Sequence, residues 1–305
     1  MILSFFWVLM LFLMITWIEE IYAGEKKPGA SAPVLTGEYL GQKKPGLTPE
    51  IFAPGIISTE AYEFAGTFSP DGKEFYFTRR WPTNNTIWVT QQVNGQWTVP
   101  QVAHFSGKYF DFEPFITPDG KRLFWGSMRP FDSGVAPGGL HEWVLEKTAA
   151  GWSEPRPLEP PFKDRFVMYP TAASNGNIYF TGMNDKESFE LLMSKKGPEG
   201  KYQEPVRLSQ NINRFPYAAH PFIAPDESYL LFDAKTNLNE ESDLYISFKK
   251  ADGTWADPKN MGEPFNTPKE EMCASVSPDG KYLFFTRDGK IHWIDARIIK
   301  NYQEK

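Results

Sequence analysis

One short text recurs along this chain and restricts its fold more than any other feature. "FSPDGKEFYFTR" stands at 68–79, "ITPDGKRLFWGS" at 116–127 and "VSPDGKYLFFTR" at 276–287. Aligned on the turn there are five copies, with the third turn position at Asp71, Asp119, Asn175, Asp226 and Asp279 and intervals of 48, 56, 51 and 53 residues. A second landmark keeps the same period: an aromatic residue three positions before a proline, at Trp97/Pro100, Trp152/Pro155, Tyr202/Pro205 and Trp255/Pro258. Two independent landmarks in phase define a repeat architecture.

Each repeat reads as four strands. A run such as "EFAGTF" precedes the turn and an alternating aromatic run such as "KEFYFT" follows it. Pro-Asp-Gly between them is turn chemistry, with proline fixing φ and glycine accepting positive φ. "TIWVTQQ", "HEWVLEK", "FELLMSK", "DLYISFK" and "KIHWIDA" supply the third strands, and the aromatic-x-x-Pro segment leads into a short fourth strand at the edge, where proline is tolerated. Four antiparallel strands per repeat of about 50 residues predict a β-propeller. The fifth copy lacks its aromatic-x-x-Pro strand, while "GLTPEIFAPGIIS" near the N-terminus places Pro49 in phase with Pro100. The expectation is an all-β, five-bladed β-propeller of four-stranded antiparallel blades over 48–299, its ring closed by the N-terminal strand so that no open edge remains. Residues 24–47 form an N-terminal extension and 300–305 a tail.

The repeated turn-plus-aromatic-strand text resembles the WD-like repeat of TolB-type propellers over residues 48 to 299. That resemblance implies the propeller fold. Members of the family include partner-binding periplasmic proteins and modules attached to peptidases and polysaccharide-active enzymes. TolB-type propellers commonly carry six blades, and this chain counts five.

"ILSFFWVLMLFLMITWI" (2–18), followed by Ala23–Gly24, reads as a secretory signal peptide over 1–23, which makes the body exported, periplasmic or secreted, with no stable membrane insertion after cleavage. No basic residue precedes the apolar run, so an uncleaved anchor is the alternative. The single cysteine, Cys273, forms no internal disulfide, so an exported chain of this kind relies on its core. "NNT" at 84–86 fits a glycosylation acceptor. A net charge of −6 argues against nucleic acid as partner.

The turn aspartates read as scaffold, because Asp in such a turn bonds local backbone. Chemistry is then expected where the copies differ. Side chains alternate along a strand, so the residues six and four before the turn are expected to point the same way, toward the central channel. The pairs are Glu63/Ala65, Asp111/Glu113, Val167/Tyr169, Ala218/His220 and Glu271/Cys273. Second strands end on the same face with Arg79, Arg80, Arg129, Arg287 and Lys235. Three long loops, 79–86 with Trp81, 129–143 and 235–242, share that rim and are places for recognition. The candidate ligand-binding set is Glu63, Arg79, Trp81, Asp111, Glu113, Arg129, Tyr169, His220, Glu271 and Arg287.

Three readings fit these residues. Two carboxylates are an acid and base for glycoside cleavage by a hydrolase or lyase; a histidine with carboxylates is a divalent-metal set; a solvated, ion-paired channel mouth needs neither. His220 alone reads as a hydrogen-bonded core residue and Cys273 as packing. Phosphate-cradling, zinc-protease, serine-hydrolase-elbow and sialidase-box motifs are absent from the sequence. The expected role is binding of a protein, peptide or carbohydrate at the channel mouth. No cofactor and no metal are assigned.

Overall fold

The computed structural model describes residues 35–131 and 140–303. The signal-peptide reading, and most of the 129–143 loop, lie outside the described residues. No helix among the described residues is long and apolar enough to cross a membrane.

Five antiparallel sheets form the blades of a propeller. Blade one is built from Tyr62–Phe68, Glu74–Arg80, Asn85–Val93 and Gln101–Val102, and blade two from Asp111–Ile116, Arg122–Ser127, His141–Thr148 and Arg156–Pro157. Blade three uses Met168–Ala172, Ile178–Met183, Phe189–Ser194 and Val206–Arg207; blade four uses Tyr217–Ile223, Tyr229–Lys235, Asp243–Phe248 and Lys259–Asn260. Blade five takes Glu271–Val276, Tyr282–Arg287 and Lys290–Asp295 in order, and its fourth strand is Glu50–Ile51, which pairs with Trp293 and His292. Leu35–Thr36 adds a further edge to blade one through Gln96–Trp97.

The repeated turn holds each blade's first hairpin. Asp71, Asp119 and Asp279 each accept the amide of the lysine two residues on and the hydroxyl of the Ser or Thr two residues back. Glycine at 72, 120 and 280 takes φ of 68°, 68° and 72°, a region L side chains rarely enter. Burial of the alternating aromatics then sets the blade-to-blade contacts. Phe52, entering from the N-terminal strand, is fully buried and packs edge-on against Phe68 and Phe75 of blade one and Phe284 and Trp293 of blade five.

The first strands are not regular. In all five blades the pairing with the second strand slips at one place: between Phe64 and Thr67, Phe112 and Phe115, Met168 and Thr171, Ala219 and Phe222, and Met272 and Ser275. At each slip one non-glycine residue has a left-handed backbone: Ala65, Glu113, Tyr169, His220 and Cys273, with φ between 48° and 57°. A bulge inserts a residue and re-aims its side chain. Here it does so five times around one axis.

Candidate functional site

The bulge separates residues that regular alternation keeps together. Residues six before the turn pair with the arginine at the end of the second strand. Glu63 Oε1 accepts from Arg79 Nε at 3.0 Å, Glu271 Oε1 from Arg287 Nε at 2.9 Å, and Asp111 Oδ1 from Arg129 Nη2 at 3.1 Å. All three carboxylates are fully buried. Glu63 also accepts the Thr59 amide and hydroxyl, Glu271 those of Thr267, and Asp111 the Ser106 hydroxyl and the Trp125 indole. Each guanidinium donates onward to backbone carbonyls of the segment entering the blade: Ile56 and Ile57, Pro264 and Phe265, and Phe105. These six members of the candidate set therefore form three copies of one clamp, fastening the incoming segment to its blade. In blades three and four the corresponding residues are Val167 and Ala218, both buried and apolar.

Residues four before the turn converge instead. Ala65, Tyr169 and Cys273 belong to one buried cluster with Phe64, Phe112, Met168 and Ala219, the residues five before the turn. Donor atoms of Glu113, His220 and Cys273, from blades two, four and five, lie within 4.8 Å of one another. His220 Nδ1 stands 2.8 Å from Asp233 Oδ1, and its Nε2 stands 3.2 Å from Glu113 Oε1. The Tyr169 ring meets His220 edge-on at 5.4 Å. Burial works against charge on His220, but Asp233 and then Glu113 outweigh it and hold the imidazole well above its ordinary value. Burial, reinforced by Glu113 and Asp233, keeps the Cys273 thiol protonated. Burial first, then the neighbouring Cys273, Glu113 and Asp233, raises Tyr169 as well.

The strained bulges are supported from neighbouring blades. The bulge amide of Glu113 donates to Thr78 Oγ1 at 2.8 Å, that of His220 to Thr181 Oγ1 at 2.9 Å, that of Cys273 to Asp233 Oδ1 at 3.2 Å, and that of Ala65 to Thr286 Oγ1 at 3.3 Å. Each acceptor sits at the same place on the second strand of the preceding blade. Blade two has Gly126 there, opposite Phe112, and a Cβ on it would meet the Phe112 ring at 2.9 Å. Its pairing partner on the third strand, Glu142, lies near the Tyr169 amide instead, without a formed hydrogen bond to its carboxyl oxygens. Burial, followed by the charge of Glu113, pushes the Glu142 carboxyl well above the carboxylate range, with the Tyr169 amide pulling only weakly the other way.

At the mouth end of the first strands lies a rim of partly buried rings. Tyr62, Phe110, Phe166 and Tyr217, each seven before the turn, pack on the cluster together with Phe189 and Met272. Phe166 stacks on Phe189 at 5.3 Å, and Phe189 contacts Tyr217 at 5.5 Å. The Arg80 guanidinium lies over Tyr62 at 4.9 Å, Lys235 over Tyr217 at 5.7 Å, and the Tyr62 hydroxyl donates to Glu270. Trp81, next to Arg80, is 66% exposed. At the opposite, turn-bearing end the channel opens as a cavity of about 350 Å³ lined by Gly66, Phe115, Ala172, Phe222 and Ser275 and by the turn prolines.

The rim aromatics, Asp233 and Glu142 lie outside the candidate set drawn from the sequence. A signal for the re-aiming is nevertheless written there. Glu113, Tyr169 and His220 are each followed by proline inside a strand, and Ala65 by glycine, and such residues mark bulges.

Comparison with solved structures gives the same architecture. Native Bacillus subtilis arabinanase Arb43A matches at a TM-score of 0.52 with 11% identity, over 78% of this chain and 95% of that one. A thermostable family-43 glycoside hydrolase matches at 0.51 with 12% identity, over 79% and 90%. TolB from Acinetobacter baumannii matches at 0.49 with 13% identity, over 78% and 55%. The likeness to the first two is one of fold. No family model matches the chain, and no curated protein matches it in sequence.

Proposed function

We propose that this protein is an exported binding propeller whose ligand, a carbohydrate or peptide with a flat apolar face, stacks on the channel-mouth rim. The observation that carries the reading is the ring of partly buried aromatics at equivalent positions of four blades, two of them overlaid by cations. A pure scaffold has no need to keep such rings partly open at one end of the channel, whereas stacking surfaces with a polar tip suit both ligand classes. Arg80 and Lys235 add a preference for an anionic substituent.

The glycan-cleaving alternative gains nothing from Glu63, Asp111 and Glu271. A glycosidase needs an acid and a base facing one bond, and these three carboxylates are buried and individually held by arginines.

The test is thermal stabilisation of the protein across panels of oligosaccharides and short peptides, since a ligand specific to the folded state raises Tm by mass action. A hit whose shift disappears in Tyr217→Ala and Phe166→Ala, but persists in Trp81→Ala, supports the rim. A hit that survives both rim substitutions, or no shift anywhere in the panels, overturns it.

A further inference from the structure

Beneath the rim, the buried floor holds an arrangement that stacking does not require. Glu113, His220 and Cys273 each offer a donor atom within 4.8 Å of the other two. Asp233 fixes His220 through Nδ1, which turns Nε2 toward Glu113. Independently, Glu113 Oε2 is buried and makes no hydrogen bond among the described residues, although the residue is only 3% exposed. A carboxylate oxygen removed from water normally has a donor or a cation to answer it. The neighbouring Glu142 carboxyl makes no hydrogen bond to that atom in this geometry.

We infer that Glu113, His220 and Cys273 hold one divalent ion of the zinc class on the propeller axis, with Asp233 as the positioning residue behind His220. Imidazole, thiolate and carboxylate together are a donor set for such an ion, whose binding displaces the His220 Nε2 proton and the Cys273 thiol proton to solvent, and a carboxylate behind the histidine is the usual way its free nitrogen is aimed. Bond lengths of about 2.0–2.3 Å place two ligands of one tetrahedral ion roughly 3–4 Å apart. His220 and Glu113 already stand at 3.2 Å. Cys273 closes the set with a movement of about an ångström. Three protein ligands leave one position for water or for a donor atom of a bound molecule. A carboxylate that ligates through one oxygen and leans the other toward the ion would also answer the orphaned Glu113 Oε2. This goes beyond the rim reading and does not depend on it.

The experiment uses the full chain, produced in zinc- and in cobalt-supplemented medium and dialysed against metal-free buffer. The expected result is about one equivalent of metal per chain, and for cobalt a thiolate-to-metal charge-transfer band with visible bands of a tetrahedral ion. Cys273→Ser should abolish the charge-transfer band and weaken retention at least ten-fold. Asp233→Asn should keep that band, shift the visible bands and weaken binding by about 10- to 100-fold. Substoichiometric metal, a cobalt spectrum without the thiolate band, or a Cys273→Ser protein with unchanged metal content and spectrum overturns the inference. If Cys273→Ser fails to fold, the wild-type cobalt spectrum decides alone. The rim is tested separately by ligand shifts in Tyr217→Ala, so the two readings can fail independently.

Discussion

Thr78→Val isolates the device that holds Glu113 at the axis. Thr78 is fully buried, and its hydroxyl oxygen accepts the Glu113 amide at 2.8 Å from within the neighbouring blade. Valine keeps the shape but cannot accept, so the amide of a left-handed residue is left buried and unpaired. That costs about 1–3 kcal/mol, and for a chain of this size each kcal/mol lowers Tm by roughly 2–4 °C. Tm should therefore fall by about 2–12 °C. Thr78→Ser keeps the acceptor and loses one methyl, about 0.5–1.5 kcal/mol by analogy with other single-methyl deletions, and so should be the milder change. Thr181→Val should match Thr78→Val, because its contact is 2.9 Å, and Thr286→Val should be the mildest of the three valines at 3.3 Å. The assay is denaturant unfolding with the slope checked for constancy. The reasoning fails if Thr78→Val is neutral within 0.5 kcal/mol, or if serine proves worse than valine.

Other outcomes follow from the same contacts. Phe52→Ala should destabilise by about 3–5 kcal/mol, read as a drop in unfolding midpoint, since its ring joins blades one and five. Arg287→Leu strands the buried Glu271 charge and should cost about 3–5 kcal/mol, with Glu271→Leu added on top recovering part of the loss in a double-mutant cycle. Burial works to raise Asp279, but bonds from Lys281, Tyr39 and Ser277 outweigh it and hold its carboxyl at about 2 against an ordinary 3.8. Because the folded value is depressed, its contribution is full above about pH 4 and is lost as pH falls through 2. Asp279→Asn should therefore flatten the acid side of the Tm–pH curve in that window; an unchanged curve would refute the assignment.

The candidate site was legible in part. His220, Glu113 and Tyr169 stand out in the sequence because they replace small or apolar residues at one repeat position. Unbroken alternation would place Glu63, Asp111 and Glu271 in the channel beside them. The bulge breaks it, and the arginines expected to line a pocket close on those carboxylates instead. Pro114, Pro170 and Pro221 carried the warning. Asp233 and Glu142 could not be found by reading one strand at a time, because each acts on the bulge of the next blade.

The sequence by itself determined the repeat, the turns and the number of blades, since these depend on local chemistry: proline and glycine at fixed turn positions, and aromatics at the spacing of a pleated strand. Tertiary structure alone decided which side chains meet. Glu113, His220 and Cys273 sit in three different blades, and only the closing of the ring, with each bulge amide held by its neighbour's second strand, brings them to one point on the axis.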